Sequence, residues 1–196
     1  MSNKMKKIKV SFNSPVILGF TIICFVAMIL KIITFDKSND LIFSVYSSSL
    51  ADPFTYIRFI GHIFGHGSWS HLMGNIMLIL VVGPLLEEKY GSKNMIMIII
   101  ATAIVTGLVH FMFFPKYQLL GASGVVFALI LLSSFTSMKE GMIPMTFILV
   151  VCIYIGEQIY EGIFVNDNVA NFTHIVGGFV GAVLGFVMNK GNKIKK

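Results

Sequence analysis

Two side chains that can cooperate in acyl transfer occur far apart in the chain. Ser123 lies in the sequence Gly-Ala-Ser-Gly of residues 121–124, and His174 follows much later. A serine hydroxyl becomes a useful nucleophile when a neighbouring imidazole takes its proton. The flanking glycines would let a substrate carbonyl come close to the serine backbone. These residues predict Ser123 as a nucleophile and His174 as its general base.

A second pair could stabilise the negative charge that develops on an attacked carbonyl. His71 and Asn75 are four residues apart, so they share one face of a helix. An imidazole N–H and an amide N–H are donors of the kind that oxyanion holes use. We therefore predict oxyanion stabilisation by His71 and Asn75, with the backbone N–H of Ser123 beside them.

The acidic residues favour a catalytic dyad over a triad. No Asp or Glu falls within the apolar segments that carry Ser123 and His174. Glu157, Glu161 and Asp167 precede the segment of His174, and an approach of one of them to the imidazole stays open. The economical interpretation is a Ser–His pair without a carboxylate.

The composition identifies the kind of protein that must position these groups. Hydrophobic residues make up 56% of the 196 residues and charged residues only 12%, with a mean hydropathy of +0.84. Soluble domains carry about 25% charged residues. This excludes a disordered chain, and two cysteines are too few for a disulfide scaffold. The chain is expected to be a membrane protein.

Apolar segments long enough to cross a bilayer as helices need about 20 residues. Six candidates occur, at residues 16–34, 71–86, 94–114, 122–138, 143–160 and 171–188. A single long connection, residues 35–70, separates the first two segments, and the other connections are short. The predicted fold is an all-α membrane protein, a bundle of six transmembrane helices.

The basic residues predict the orientation of the bundle, because Lys and Arg accumulate on the cytoplasmic side. Of the 15 Lys and Arg residues, eleven fall on one side of a six-span topology: Lys4, Lys6, Lys7, Lys9, Lys89, Lys93, Lys139, Lys190, Lys193, Lys195 and Lys196. Both termini are therefore predicted to be cytoplasmic. Residues 1–15 form a basic N-terminus, 16–188 the helical domain and 189–196 a basic tail. Topology and anionic lipid account for the net charge of +6, so no nucleic-acid partner is expected.

Helical spacing predicts which spans meet. Small residues follow the histidine of the last span at intervals of three and four: Gly177, Gly181 and Gly185. Gly124 and Ala128 form a matching row beside Ser123. Small residues at this spacing let two helix backbones approach closely in a membrane. The fourth and sixth spans are thus predicted to pack along these rows and to bring His174 to Ser123.

The predicted topology also gives the depth of the site. Even-numbered spans run from the outside inward, so Ser123, His71 and His174 all lie near outer ends. Residues 123–138 would extend about 24 Å as a helix, less than the roughly 30 Å of a hydrocarbon core. Ser123 is expected in a polar recess below the extracytoplasmic surface.

At these residues the sequence resembles the rhomboid family of intramembrane serine proteases. The matching residues are His62, His66, His71, Asn75, Glu87, Gly91, Gly121, Ala122, Ser123, Gly124, Asn171, His174, Gly177 and Gly181. The resemblance implies Ser123 as nucleophile, His174 as base, and His71 with Asn75 as oxyanion stabilisers. Phe127 stands where the family often has a Tyr stacked on the histidine, and Ile57-Arg58 replaces a common Trp-Arg pair.

The resemblance further implies a serine endopeptidase of the cell membrane that cleaves membrane proteins in or near a transmembrane segment. The active site would lie near the extracytoplasmic side and would use no cofactor and no metal. The partners would be transmembrane substrates and the lipid bilayer, and the oligomeric state stays open.

Three other functions remain as alternatives, one of them a catalytically inactive relative that binds membrane partners, against which the intact Ser123 and His174 argue. His62, His66 and His71 are spaced so that three imidazoles could bind zinc, although loop packing is the simpler interpretation of the first two. A polytopic transporter would also place polar residues in membrane helices, but it more often shows repeats and broken helices. No role is assigned to His110.

Overall fold

A computed structural model describes residues 12–136 and 168–191, together with residues 145, 148–149, 151–153 and 156. Over these residues the protein is helical and contains no strand, and one isolated antiparallel bridge joins Val45 to Leu119. The elements are α1 (Pro15–Ile33), a short π-helix (Asn39–Phe43), α2 (Pro53–Gly61), α3 (Trp69–Tyr90), α4 (Ser92–Phe113), α5 (Ser123–Thr136) and α6 (Asn168–Gly191).

In the part of the chain that the structure describes, three helices are long and apolar enough to cross a membrane, namely α1, α3 and α4. Shorter apolar helical stretches run over Ser123–Ser134 and His174–Val187. Five of the predicted spans therefore coincide with helices, with ends that differ by up to four residues. Most of the predicted span 143–160, and most of the predicted segments 1–15 and 189–196, lie outside the described residues.

The connection between α1 and α3 contains helices that the sequence analysis did not predict. The π-helix and α2 both lie within residues 35–70. Asp52 caps α2 by accepting a hydrogen bond from the backbone N–H of Phe54 at 3.0 Å, and Pro53 occupies the first turn. An Asp-Pro start of this kind is a recognisable helix signal, so the start of α2 is visible in the sequence of the connection.

Arg58 holds this connection together from its centre. Its side chain is buried and forms an ion pair with Asp52 at 2.8 Å. The same guanidinium donates to the Ser48 and Thr55 hydroxyls, each at 3.0 Å, and lies 4.6 Å from the centre of the Tyr46 ring. A buried charge needs such partners to be tolerated, so Arg58 gives residues 46–58 a defined shape.

The opposite end of the bundle is closed by Glu87, near the C-terminus of α3. Its two carboxylate oxygens accept hydrogen bonds of 3.0 Å from the first backbone N–H groups of α1, those of Val16 and Ile17. Ser92 donates a third bond of 2.7 Å. A carboxylate at a helix N-terminus satisfies unpaired N–H groups and the helix dipole together. The start of α1 and the end of α3 thus lie on the same side of the bundle.

The core between these ends is apolar. Side chains from α1, α3, α4 and α5 form one buried cluster that includes Ile17, Ile79, Ile98 and Leu129. Helix α5 contacts α3, α4 and α6. Ser123, its first residue, is therefore carried by a helix that packs against three others.

Candidate active site

The structure brings Ser123 and His174 into direct contact. His174 Nε2 lies 2.7 Å from Ser123 Oγ, and both side chains are half-buried. Ser123 begins α5, and His174 lies near the start of α6. A hydroxyl and an imidazole nitrogen at this distance form a hydrogen bond suited to proton transfer.

The contact depends on the absence of side chains where α5 and α6 cross. A Cβ added to Gly177 would overlap the Gly124 carbonyl oxygen and lie 2.8 Å from the Gly124 Cα. A Cβ added to Gly181 would overlap the Ala128 carbonyl oxygen and lie 2.5 Å from the Ala128 Cα. The two backbones are in contact along the rows of small residues, as in other close helix pairs of membrane proteins.

Gly121 shapes the approach to the serine. It has φ +135°, a conformation that residues with a side chain rarely adopt. A Cβ at this position would lie 2.9 Å from His71 Nε2 and 3.8 Å from Ser123 Oγ. The His71 ring and the serine hydroxyl therefore border the same small space, which only glycine leaves open.

His71 and Asn75 lie on the first turns of α3, and their surroundings differ. Ser68 caps this helix by accepting a hydrogen bond from the His71 backbone N–H at 3.2 Å. The His71 side chain is exposed, whereas Asn75 is only 7% exposed. Asn75 Nδ2 lies 3.1 Å from His66 Nε2. The amide predicted as an oxyanion donor is thus also a partner of a histidine that had no predicted role.

The segment before Ser123 is tied to the long connection by its backbone. Val45 and Leu119 exchange two hydrogen bonds of 2.9 Å, and the Gly121 N–H donates to the His62 carbonyl at 2.9 Å. The Ala122 N–H lies 3.4 Å from His66 Nε2. Three residues of the connection therefore hold residues 119–122 in place.

Phe127 lies one turn after Ser123 and packs on the ring of His174. Its ring centroid is 4.9 Å from that of His174, with the ring planes tilted by 46°. An aromatic ring at this distance restricts the rotation of the imidazole. This contact agrees with the expectation that the ring of Phe127 packs against His174.

The remaining histidines have separate partners. His62 lies 3.2 Å from the Arg58 carbonyl and 3.3 Å from the Thr106 hydroxyl, and His110 Nε2 donates to the Tyr117 carbonyl at 3.0 Å. Burial lowers the pKa of His62 to about 4, so its ring is neutral at pH 7. Within the described residues, no three His, Cys, Asp or Glu side chains are grouped to hold a metal ion. The zinc alternative is not favoured.

Similarity to known proteins identifies the family. Residues 53–191 match the family model described as the Rhomboid domain. The chain belongs to the rhomboid family.

Several curated rhomboid proteins share this region. Rhomboid-related protein 2 of Mus musculus is 29% identical over 160 residues, which cover 71% of this chain and 53% of the mouse protein. Rhomboid protease GlpG of Salmonella choleraesuis is 29% identical over 176 residues, covering 85% of this chain and 62% of that protein. Rhomboid protease GlpG of Haemophilus influenzae is 25% identical over 140 residues, which cover 68% of this chain and 70% of that protein. The chain spans about half the length of the mouse relative.

Membership of the rhomboid family and the three long apolar helices make this chain a membrane protein. Glu157, Glu161 and Asp167, the acidic residues left open as partners of His174, lie outside the described residues. The side chain of Asn171, which matched the rhomboid pattern, also lies outside them.

Sequence reasoning missed two polar contacts near the site, those of His66 with Asn75 and of His62 with Thr106. Thr106 lies 44 residues after His62, and Asn75 lies nine residues after His66 but on the next helix, α3. No local pattern in the sequence indicates these pairings.

Proposed function

We propose that this rhomboid protein is an intramembrane serine endopeptidase that hydrolyses peptide bonds in or near transmembrane segments of membrane proteins. The observation that carries the proposal is the 2.7 Å contact between Ser123 Oγ and His174 Nε2. The names of the GlpG relatives, which are called rhomboid proteases, support the same activity. The alternatives of a metal-dependent protein and of a transporter have no comparable support.

The proposed reaction uses a dyad and passes through an acyl-enzyme. Ser123 Oγ attacks the scissile carbonyl while its proton moves to His174 Nε2. The tetrahedral intermediate collapses, the C–N bond breaks, and the imidazolium returns the proton to the leaving amine. Water then attacks the ester with His174 again as base, which releases the acid and restores the serine.

The oxyanion of each tetrahedral intermediate needs preorganised donors. We assign this role to His71, Asn75 and the backbone N–H of Ser123. The His71 ring borders the same space beside Gly121 as the Ser123 hydroxyl. Phe127 limits the rotation of the His174 ring. Gly124, Gly177 and Gly181 allow the backbone contact that brings the dyad together.

The proposed topology has six transmembrane helices with both termini cytoplasmic. Residues 1–15 and 189–196 would flank a protease domain at residues 16–188. The bonds from Val16 and Ile17 to Glu87 support this arrangement, because they put the start of α1 and the end of α3 on one side. The protein would reside in the cell membrane with its active site near the extracytoplasmic side. Its partners would be transmembrane substrates and the bilayer, and the chemistry needs no cofactor.

Cleavage assays on the full chain test the proposal. The purified protein is reconstituted in liposomes with a reporter that has a single transmembrane helix, and fragments are identified by mass spectrometry. Ser123→Ala is expected to reduce cleavage by at least about 10⁴-fold, since loss of the nucleophile removes the covalent route. Ser134→Ala is the matched control, because that serine lies on the same helix and bonds the Ile130 carbonyl at 3.1 Å.

Cleavage by Ser123→Ala at the parent rate would remove the proposed function. An EDTA arm separates the metal alternative, since the dyad is expected to work equally well in the chelator. Loss of cleavage in EDTA and recovery with zinc would support the metal alternative instead.

A further inference from the structure

His66 is a buried polar side chain that the proposed reaction does not yet use. It lies between α2 and α3 and is only 1% exposed. Its Nδ1 is 3.1 Å from the Phe64 carbonyl oxygen. Its Nε2 is 3.1 Å from Asn75 Nδ2 and 3.4 Å from the Ala122 backbone nitrogen.

These neighbours determine where the ring carries its proton. A carbonyl oxygen only accepts hydrogen bonds, so Nδ1 must carry the hydrogen that it donates to Phe64. A backbone N–H only donates, so Nε2 must present its lone pair to Ala122. The ring is therefore the neutral tautomer protonated at Nδ1. Burial lowers the pKa of His66 to about 4, and the His71 ring, centred 5.0 Å away, adds to this effect.

The tautomer in turn determines the orientation of the Asn75 amide. A side-chain amide can present either its oxygen or its nitrogen, and the choice follows from its hydrogen-bond partner. A bare Nε2 requires the NH₂ group of Asn75, whereas a protonated Nε2 would require the oxygen. The amide has two N–H bonds, so one can go to His66 while the other stays available for a substrate oxyanion.

We propose that His66 is a positioning residue that orients the Asn75 amide and, through Ala122, fixes the backbone that carries Ser123. One ring thereby sets the spacing between an oxyanion donor and the nucleophile. This inference rests on the proposed function for its effect on catalysis. The geometry of the ring itself is independent of that function.

The first test measures the tautomer and needs no activity. The full-length protein is prepared in micelles with ¹⁵N-labelled histidine rings, and the His66 signals are assigned from their absence in His66→Gln. The expected spectrum at pH 7 shows neutral His66 protonated at Nδ1, and Asn75→Ala is expected to shift its Nε2 resonance. A ring protonated at Nε2, or an imidazolium at pH 7, would overturn the proposal.

The second test is a double-mutant cycle between His66 and Asn75. His66→Phe keeps a flat ring without an acceptor, and His66→Gln offers a carbonyl oxygen as a substitute acceptor. The rate is expressed as kcat per active site titrated with a fluorophosphonate, which removes any effect of misfolded protein. His66→Phe is expected to lower kcat about 10- to 100-fold, below the loss of a whole oxyanion donor, with KM changed less than about threefold.

A positioning role through Asn75 predicts non-additive effects. In the Asn75→Ala background, His66→Phe is expected to change kcat by less than about threefold, and His66→Gln should recover most of the rate in the parent background. His62→Phe is the matched control, since His62 is equally buried but does not contact Asn75. Its effect is expected to multiply with that of Asn75→Ala.

Fully multiplicative effects of His66→Phe and Asn75→Ala would overturn the role of His66 and leave the proposed function intact, provided that Ser123→Ala is inactive. Cleavage by Ser123→Ala would instead overturn the proposed function. The tautomer measurement would then still decide whether His66 orients Asn75.

Discussion

Ser123 is positioned from two sides by different kinds of interaction. On the α6 side, backbone atoms of α5 and α6 touch at Gly177 and Gly181, and no side chain intervenes. On the side of the long connection, hydrogen bonds with Val45, His62 and His66 hold the segment before the serine. The contact between α5 and α6 depends on the small size of the glycines, whereas the contact with the connection depends on matched hydrogen-bond donors and acceptors.

The difference shows how each half of the proposed site can fail. We expect an added atom on the α6 side to displace His174 from Ser123, because packed backbones have no room to adjust. A lost hydrogen bond on the connection side leaves a buried polar group unsatisfied and loosens residues 119–122. The α6 side should therefore respond sharply to size, and the connection side should respond to hydrogen bonding and to pH.

Among the changes that compare the two sides, the largest effect is expected from Gly177→Ala. Carbon atoms pack at about 3.5–4.0 Å, and the new Cβ would lie 2.8 Å from the Gly124 Cα. α6 must then move by roughly 1 Å, and a displacement of that size can cost about 10²-fold in rate. Reporter cleavage in liposomes measures the loss.

Gly19→Ala is the control for this substitution. Gly19 lies in α1, and a Cβ there would have no neighbour within 4 Å. Parent activity is expected for Gly19→Ala. Parent activity in Gly177→Ala would show that the α5–α6 contact does not position the base.

The next effect concerns the ion pair at the centre of the connection. Arg58→Met removes the bonds to Asp52, Ser48 and Thr55, and we expect the free energy of unfolding to fall by about 2–3 kcal/mol. Thermal unfolding in micelles measures the change. Lys31→Met, which removes the more exposed pair with Asp36, should cost less than about 1 kcal/mol. Equal losses in the two variants would contradict a structural role for Arg58.

A further effect is expected from pH, through the two buried histidines of the connection, His62 and His66. Burial lowers the pKa of both His62 and His66 to about 4, against 6.5 for an ordinary histidine. Between these two pH values, the two imidazole rings are protonated in the unfolded chain and neutral in the folded protein. The free energy of unfolding should therefore be highest above about pH 6.5. It should fall by up to about 1.4 kcal/mol per pH unit for each ring as the pH decreases below that value.

Unfolding measured at pH 7 and pH 5 tests this expectation, with His62→Gln as the comparison. One of the two titrating rings is absent in that variant, so its stability should depend less steeply on pH. Asp52 does not interfere, because Arg58 lowers the pKa of its carboxyl below 3.8 and its effect falls at more acidic pH. An unchanged dependence in His62→Gln would rule out the ring as a cause.

The smallest effect is expected at Phe127. Contacts between aromatic rings contribute about 0.5–1.5 kcal/mol, so Phe127→Ala should slow reporter cleavage about 2- to 10-fold. Phe127→Tyr keeps the ring and should retain the parent rate. A full rate in Phe127→Ala would show that ring packing does not orient the base.

The two sides also differ in how far the sequence predicted them. The α5–α6 pairing could be predicted because small residues at helical spacing have a local pattern, and Gly177 and Gly181 carry it within a single helix. The pairing of His66 with Asn75 could not, because it depends on how the connection folds back onto α3. Helix α2 was missed although Asp52 and Pro53 signal its start, since its nine residues are far fewer than the roughly 20 apolar residues that indicate a membrane span.

The most direct test of the dyad is covalent labelling of the serine. The full chain in micelles is treated with a fluorophosphonate, and the modified residue and its labelling rate are determined by mass spectrometry. The account predicts an adduct on Ser123 that forms at least about 10³-fold more slowly in His174→Ala, because the hydroxyl then has no base. An adduct on another residue, or labelling of Ser123 at the same rate without His174, would contradict it.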